Sequence, residues 1–217
     1  MSRAARISAA VFDLDGTLVD SLPLVLRSIA HAIEPFAARP TMDIFPQLGG
    51  PPERFLPVLL GGPRHVPEAL VRMEAFHREN VHLIEPFAGV RTFLERLRAG
   101  GVQTAIWTGR DRESTEPLLA AHGLTELVSV VVCGDDLPTH KPDPEGLRAI
   151  LRQLGVAAAE TIFVGDADVD VLGGAACRVD TVLIRHARKV PDDIFAKAWR
   201  AVESPDDAFE LVLGRIG

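Results

Sequence analysis

Asp13 and Asp15 stand two residues apart at the end of the apolar run 7–12 and are followed by Gly16 and Thr17. Carboxylates so close repel each other, and a hard divalent cation such as Mg2+, which prefers oxygen ligands, would offset the repulsion. The same Asp-Leu-Asp-Gly string also reads as a turn with exposed acids. A second acidic group, Asp166, Asp168 and Asp170, follows Val164-Gly165 and opens a helical pattern. Acids are welcome at a helix N-terminus, so simple capping competes with metal binding there. Two such groups at the carboxyl ends of parallel strands would meet on one rim, where one cation could bind both.

Two further positions carry charge or hydrogen-bonding chemistry suited to phosphate. Thr108-Gly109 ends the apolar run 103–107 and offers a hydroxyl and backbone N–H groups, although Thr-Gly also ends strands in ordinary turns. Of the 23 basic residues, 20 are arginine, and the lysines are Lys141, Lys189 and Lys197. Lys141, in His140-Lys141-Pro142-Asp143-Pro144, stands just before a helix start, where a compact point charge reads as required; a solvated surface lysine is the alternative. Other catalytic arrangements find no support: there is no Gly-x-Ser-x-Gly, no His-Glu-x-x-His and no phosphate-binding Gly-x-x-x-x-Gly-Lys-Ser/Thr loop. The seven histidines are scattered, with His77 and His82 five apart and off a shared helical face.

The elements that must position these residues alternate. Short apolar runs at 7–12, 103–107, 128–132, 161–164 and 181–184 read as buried strands, and 90–99, 112–121, 144–154 and 169–176 have helical spacing. Such alternation predicts an α/β fold, a three-layer Rossmann-like parallel sheet covered on both faces, with chemistry at the strand carboxyl ends. A closing helix is expected over 204–213. Residues 21–85 break the rhythm, 65 residues without a convincing buried strand, far beyond an ordinary connection. They predict an inserted α-helical cap domain with amphipathic helices over 23–36 and 67–81 and a loop at 47–52, the core being 1–20 plus 86–217. Hinges are expected near 20–22 and 85–89.

Composition narrows the function classes. With 47% hydrophobic and 24% charged residues the chain is an ordinary globular one, which excludes disorder. The net charge of −7 repels polyanions and anionic surfaces, so neither nucleic acid nor a membrane is an expected partner. Two cysteines, Cys133 and Cys177, are too few for a disulfide framework, no signal-peptide core is legible, and a cytoplasmic monomer or homodimer is expected.

Asp13, Asp15, Thr108, Lys141, Asp166 and Asp170 occur in an order that resembles the four motifs of the haloacid dehalogenase superfamily. Val11-Phe12-Asp13-Leu14-Asp15-Gly16-Thr17-Leu18-Val19-Asp20-Ser21 is similar to its first motif almost letter for letter, and Lys141-Pro142-Asp143-Pro144 and Gly165-Asp166 through Asp170 to the later ones. The insertion resembles the helical cap of the subgroup that includes phosphoglycolate phosphatases, β-phosphoglucomutases, phosphonatases and 2-haloacid dehalogenases. The resemblance implies that Asp13 is a nucleophile forming an aspartyl-phosphate and that Asp15 is the general acid and base. It implies Mg2+ on the Asp13 carboxylate, the Asp15 backbone carbonyl and Asp166, with Asp170 orienting metal-bound water or Lys141. Thr108, the Gly109 amide and Lys141 would hold the phosphoryl oxygens.

Among these relatives, dehalogenases lack the second aspartate, present here as Asp15, and phosphonatases need a cap lysine, absent between residues 21 and 85. Mutases of the group typically read Glu-Asp-Ser where this chain has Gly165-Asp166-Ala167. A phosphatase of a small phosphorylated metabolite is therefore expected; a mutase, or a non-catalytic phosphate-sensing protein on the same fold, is the alternative. Arg110, where phosphoglycolate phosphatases frequently have lysine, together with Arg112 and with Arg54 and Gly50 in the insertion, could meet a substrate carboxylate or second phosphate.

Overall fold

The computed structural model describes residues 6–36 and 52–216. The chain divides into two compact units, Met1–Asp20 with Pro86–Gly217, and Ser21–Glu85.

The larger unit is built on strands β1 (Ala9–Phe12), β4 (Gln103–Trp107), β5 (Val130–Val132), β6 (Thr161–Gly165), β7 (Asp180–Ile184) and β8 (Arg200–Val202), where β2 (Val19–Asp20) and β3 (Glu85–Pro86) are two-residue strands at the unit boundary. The six pair in the order β5-β4-β1-β6-β7-β8, all parallel. β1 and β6 are buried along their whole length, as expected of central strands covered on both faces. Helices α4 (Val90–Ala99) and α9 (Pro205–Leu213) pack together on one face, α6 (Glu145–Leu154) and α7 (Asp168–Cys177) on the other, which gives the expected three layers. One core carries Val11, Ala105, Trp107, Leu147, Ile150 and Phe163. Across the sheet Phe93 lies edge-on to Phe12 and stacks on Phe209, with ring centroids at 5.5 and 4.3 Å.

The strand order decides where chemistry can sit. From β1 the sheet grows toward β4 and β5, and from β6 it grows the other way toward β7, so the topological switch lies between β1 and β6. Loops leaving those two strands diverge and open a crevice at their carboxyl ends. Phe12 is in register with both Ile106 and Val164, which sets Asp13 level with the ends of the neighbouring strands.

The second unit contains α1 (Leu22–Ile33), α2 (Pro52–Leu59) and α3 (Val66–Asn80), joined by a small core of Ile29, Ile33, Phe55, Leu56 and Ala69. The helices expected over 23–36 and 67–81 are α1 and α3. α2 was not expected: its eight residues carry Pro57 inside and Pro52 at the start, and prolines read as breaks. The loop expected at 47–52 lies outside the described residues except for Pro52, which is helical. Two elements of the larger unit were also illegible, α8 (Asp192–Phe195), a single turn, and β8, a three-residue edge strand with no buried residue and hence no apolar run. Among the described residues no helix is long and apolar enough to cross a membrane.

Candidate active site

Asp13 is the first residue past β1, its N–H donating to the Val164 carbonyl at 2.8 Å, so the ladder with β6 fixes its backbone. Its side chain is 11% exposed and points to Lys141, whose Nζ donates to Asp13 Oδ1 at 2.6 Å and to Asp170 Oδ1 at 2.7 Å. Asp170 is held in turn, since its Oδ2 accepts from the Ala167 N–H at 3.0 Å at the start of α7. The Lys141 ammonium also lies 5.0 Å from the centre of the Trp107 ring and 5.5 Å from that of Phe163. A lysine with only 7% of its side chain exposed, between two carboxylates and over two aromatic faces, is structural to the site and not a solvated surface group.

Carboxylate oxygens of Asp13, Asp166 and Asp170 lie within 4.8 Å of one another. The loop after β1 permits this because Gly16 adopts φ +78°, and a Cβ there would stand 2.3 Å from Asp166 Oδ2. The three acids after β6 divide their tasks. Asp166 and Asp170 turn inward, while Asp168 forms an ion pair with Arg188 at 2.7 Å.

Asp13 and Asp170 share one ammonium in a buried place beside Asp166, and the ionisation of Asp13 and Asp166 reflects the crowding. Burial pushes the Asp13 carboxyl up to about 7, with Asp170 and Asp15 adding to the rise and Lys141 opposing it. Asp166 is raised well above the ordinary range, by burial first and then by Asp13 and Asp170. For Lys141 burial works against the charge, but Asp13 and Asp170 outweigh it and hold the ammonium above its usual value. The unmet charge is negative and the donors are hard oxygens, which suits a divalent cation of the Mg2+ or Mn2+ kind. Asp13 and Asp166 are the groups that would hold it. The Asp15 side chain is not in this cluster, so any part of Asp15 in binding a cation would fall to its main chain.

Thr108 follows β4, the other neighbour of β1, with its N–H bonded to the Val132 carbonyl at 3.0 Å and its Oγ1 accepting from the Arg110 N–H at 3.1 Å. Beside it Gly134 approaches the Gly109 carbonyl so closely that a Cβ would come within 2.3 Å of that oxygen. Arg110 does not stand free to meet a substrate. Its Nε donates to Asp15 Oδ2 at 3.0 Å and its Nη2 to Asp15 Oδ1 at 2.6 Å. Arg112 is likewise engaged, forking onto Asp136 and bridging to Glu116. Gly50 lies outside the described residues, and Arg54 is placed only as a backbone position of α2.

Sequence reasoning missed the loop after β7. His186 Nε2 is 2.6 Å from the Gly16 carbonyl, and Arg188 donates from Nε and Nη2 to the Asp166 carbonyl at 3.2 and 2.8 Å. His186 and Ala187 both have positive φ, 46° and 62°, a backbone cost that non-glycine residues bear where surroundings over-determine the loop. The loop thus braces the two segments that carry Asp13 and Asp166. The signal for it in the sequence is Arg185-His186-Ala187-Arg188, two arginines and a histidine at the carboxyl end of the apolar run 181–184.

Residues 10–184 match the family described as haloacid dehalogenase-like hydrolase. The chain belongs to that family. It is 33% identical over 193 residues to the pyrophosphatase PpaX of Halalkalibacterium halodurans, covering 86% of this chain and 87% of that one. It is also 33% identical over 194 residues to a plasmid-borne phosphoglycolate phosphatase of Cupriavidus necator, covering 85% and 83%. The solved structure of a haloacid dehalogenase (HAD)-superfamily hydrolase of subfamily IA from Geobacter sulfurreducens superposes with a TM-score of 0.75 at 26% identity, over 97% of this chain and 99% of that one. The protein is a HAD-family enzyme of the phosphatase type.

Proposed function

We propose that this HAD enzyme is a Mg2+-dependent phosphatase that hydrolyses the phosphoric ester or anhydride of a small metabolite through an aspartyl-phosphate on Asp13. The observation that carries the reading is the placement of Asp13 at the switch point, bonded to Lys141 and within 4.8 Å of Asp166 and Asp170. Asp13 Oδ attacks phosphorus in line as the bond to the leaving oxygen breaks, and Asp15 delivers the proton that oxygen needs. Asp15 then accepts a proton from water, which attacks the aspartyl-phosphate and returns Asp13 as carboxylate with release of inorganic phosphate. Thr108 Oγ1, the Gly109 amide and Lys141 offer donors to the phosphoryl oxygens, whose charge must be met throughout. A bound Mg2+ would supply positive charge that lets an anionic phosphate approach an anionic nucleophile. The position of Ser21–Glu85 in the chain, directly after the first motif, supports its reading as the cap.

A phosphatase is favoured over a mutase at Gly165, where a Cβ would lie 2.4 Å from Asp170 Oδ2, so the glutamate typical of the mutases does not fit this packing. Phosphoglycolate and pyrophosphate, named in the relatives, head the panel of substrates to assay, with sugar phosphates and an aryl phosphate. Phosphate release that requires Mg2+ is the expected result, and the ranking by kcat/KM names the substrate class. No release from any compound in the presence of Mg2+ would overturn the proposal.

The cation should also be visible without turnover. The unfolded Asp13 carboxyl ionises near 3.8 and the native one near 7, so between those values the native state holds a proton the unfolded chain has lost. Stability of the metal-free protein therefore falls as pH rises through that window. Mg2+ removes this loss but must displace protons at low pH. At about a hundred times its Kd it should add about 2.7 kcal/mol, on the order of 5–10 °C in Tm, near pH 8 and clearly less near pH 5. Thermal unfolding with Mg2+ and with a chelator at both pH values checks this; equal shifts would contradict carboxylate ligation.

A further inference from the structure

Arg110 is fixed more tightly than a residue in a binding mouth needs to be. Its N–H donates to Thr108 Oγ1 at 3.1 Å and its carbonyl accepts from the Gly134 N–H at 2.8 Å, so the root of the side chain is held between the loops after β4 and β5. The side chain is 8% exposed, whereas that of Asp15 is 33% exposed. The guanidinium lies underneath and the carboxylate on the open side. Both oxygens of Asp15 are taken by the fork, at 3.0 and 2.6 Å. A bidentate pair of this kind fixes the plane of the carboxylate as well as its position. Each carboxylate oxygen has two lone-pair directions, so the fork leaves one on each oxygen for a further partner.

We infer that Arg110 is a positioning residue for Asp15, aiming the carboxyl that exchanges a proton with the leaving group, and not a substrate-binding arginine. The inference rests on the phosphatase reading above. In the step concerned the Asp13–phosphorus bond forms, the bond from phosphorus to the leaving oxygen breaks, and the proton on Asp15 passes to that oxygen. A misaimed Asp15 harms this step in proportion to how much the leaving group needs the proton. An alkoxide needs it; 2,4-dinitrophenolate does not. A structural role, or a direct contact to the phosphoryl group, would lower both substrates alike.

The test compares kcat/KM of the Mg2+-loaded enzyme on an alkyl phosphate that the wild type hydrolyses and on 2,4-dinitrophenyl phosphate. This quantity reports events up to the first phosphoryl transfer and so excludes hydrolysis of the aspartyl-phosphate. Arg110→Ala should lose tenfold or more on the alkyl ester and stay within about threefold on the aryl ester. Arg110→Lys keeps the charge but cannot form the fork; its loss on the alkyl ester relative to the aryl ester should fall between those of the wild type and Arg110→Ala, and it supplies the comparison if the alanine variant fails to fold. Equal losses on both esters, or a gain on the alkyl ester, would overturn the inference while leaving the phosphatase reading in place. A wild type that hydrolyses neither ester would overturn that reading and this inference with it.

Discussion

Asp13→Asn should lose turnover by a factor on the order of 1,000 or more while keeping its fold. The amide matches the carboxylate in shape but is neutral and cannot attack phosphorus productively. The fold should be spared because the change removes one of three crowded carboxylates, and Lys141 keeps its bond to Asp170 at 2.7 Å. The unfolding midpoint should accordingly stay level or rise, since the burial that pushes the Asp13 carboxyl up to about 7 no longer acts on an ionisable group. Steady-state rates on the best panel substrate and a thermal melt measure the two halves. Substantial residual activity would sink the nucleophile assignment, and loss of the cooperative melt would show that Asp13 is structural.

Lys141→Met is expected to have the largest combined effect on activity and stability. Methionine replaces the aliphatic stem between Trp107 and Phe163 but leaves Asp13 and Asp170 without their shared cation. Removing one partner of a buried ion pair costs about 3–5 kcal/mol, on the order of 10 °C in Tm for a chain of this size. The penalty should shrink toward pH 5, because the already raised Asp13 carboxyl is raised further without the ammonium and takes up a proton in the native state. Turnover should drop by roughly 100- to 1,000-fold through loss of the donor to the phosphoryl oxygens. The double variant Lys141→Met, Asp13→Asn separates the roles. It should recover part of the lost stability, as coupled neighbours do, and none of the activity. A stability change equal to the sum of the two single changes would mean that the 2.6 Å contact between Lys141 and Asp13 is energetically idle.

Much of the larger unit was legible because its signals are local. Strand 103–107 and helix 90–99 have the bounds expected from periodicity, since each carries a full apolar face, and helix 112–121 has its expected bounds with a start marked by the Asp111 cap and only Leu118 and Leu119 as buried apolar residues. Elements that bury little left no such trace: β8 has no buried residue and α8 is one turn long. α2 was hidden for a different reason, its prolines, which tertiary packing of Phe55 and Leu56 overrides.

The site divides along the same line. Amino-acid type and strand-end position pointed to Asp13, Asp15, Thr108, Lys141 and the acids Asp166, Asp168 and Asp170, because carboxylates after buried strands and one of three lysines among 20 arginines are conspicuous one residue at a time, and only the family resemblance set Asp166 and Asp170 apart from Asp168. Which carboxylates share a space was not in that signal. Asp168 has the same type and the same loop as its neighbours, yet it turns to Arg188. Arg110 has the composition of an anion-binding residue, yet it closes on Asp15, 95 positions away in the chain. His186 and Arg188 brace the two acidic segments from a strand that no motif marked. The sequence by itself determined five of the sheet's six strands and the acidic rim, through periodicity and residue type, and its motifs indicated the class of chemistry only through their resemblance to a known family. Only the tertiary structure decided the pairing of charges, since that depends on the order of strands across the sheet and on which side chains burial forces together.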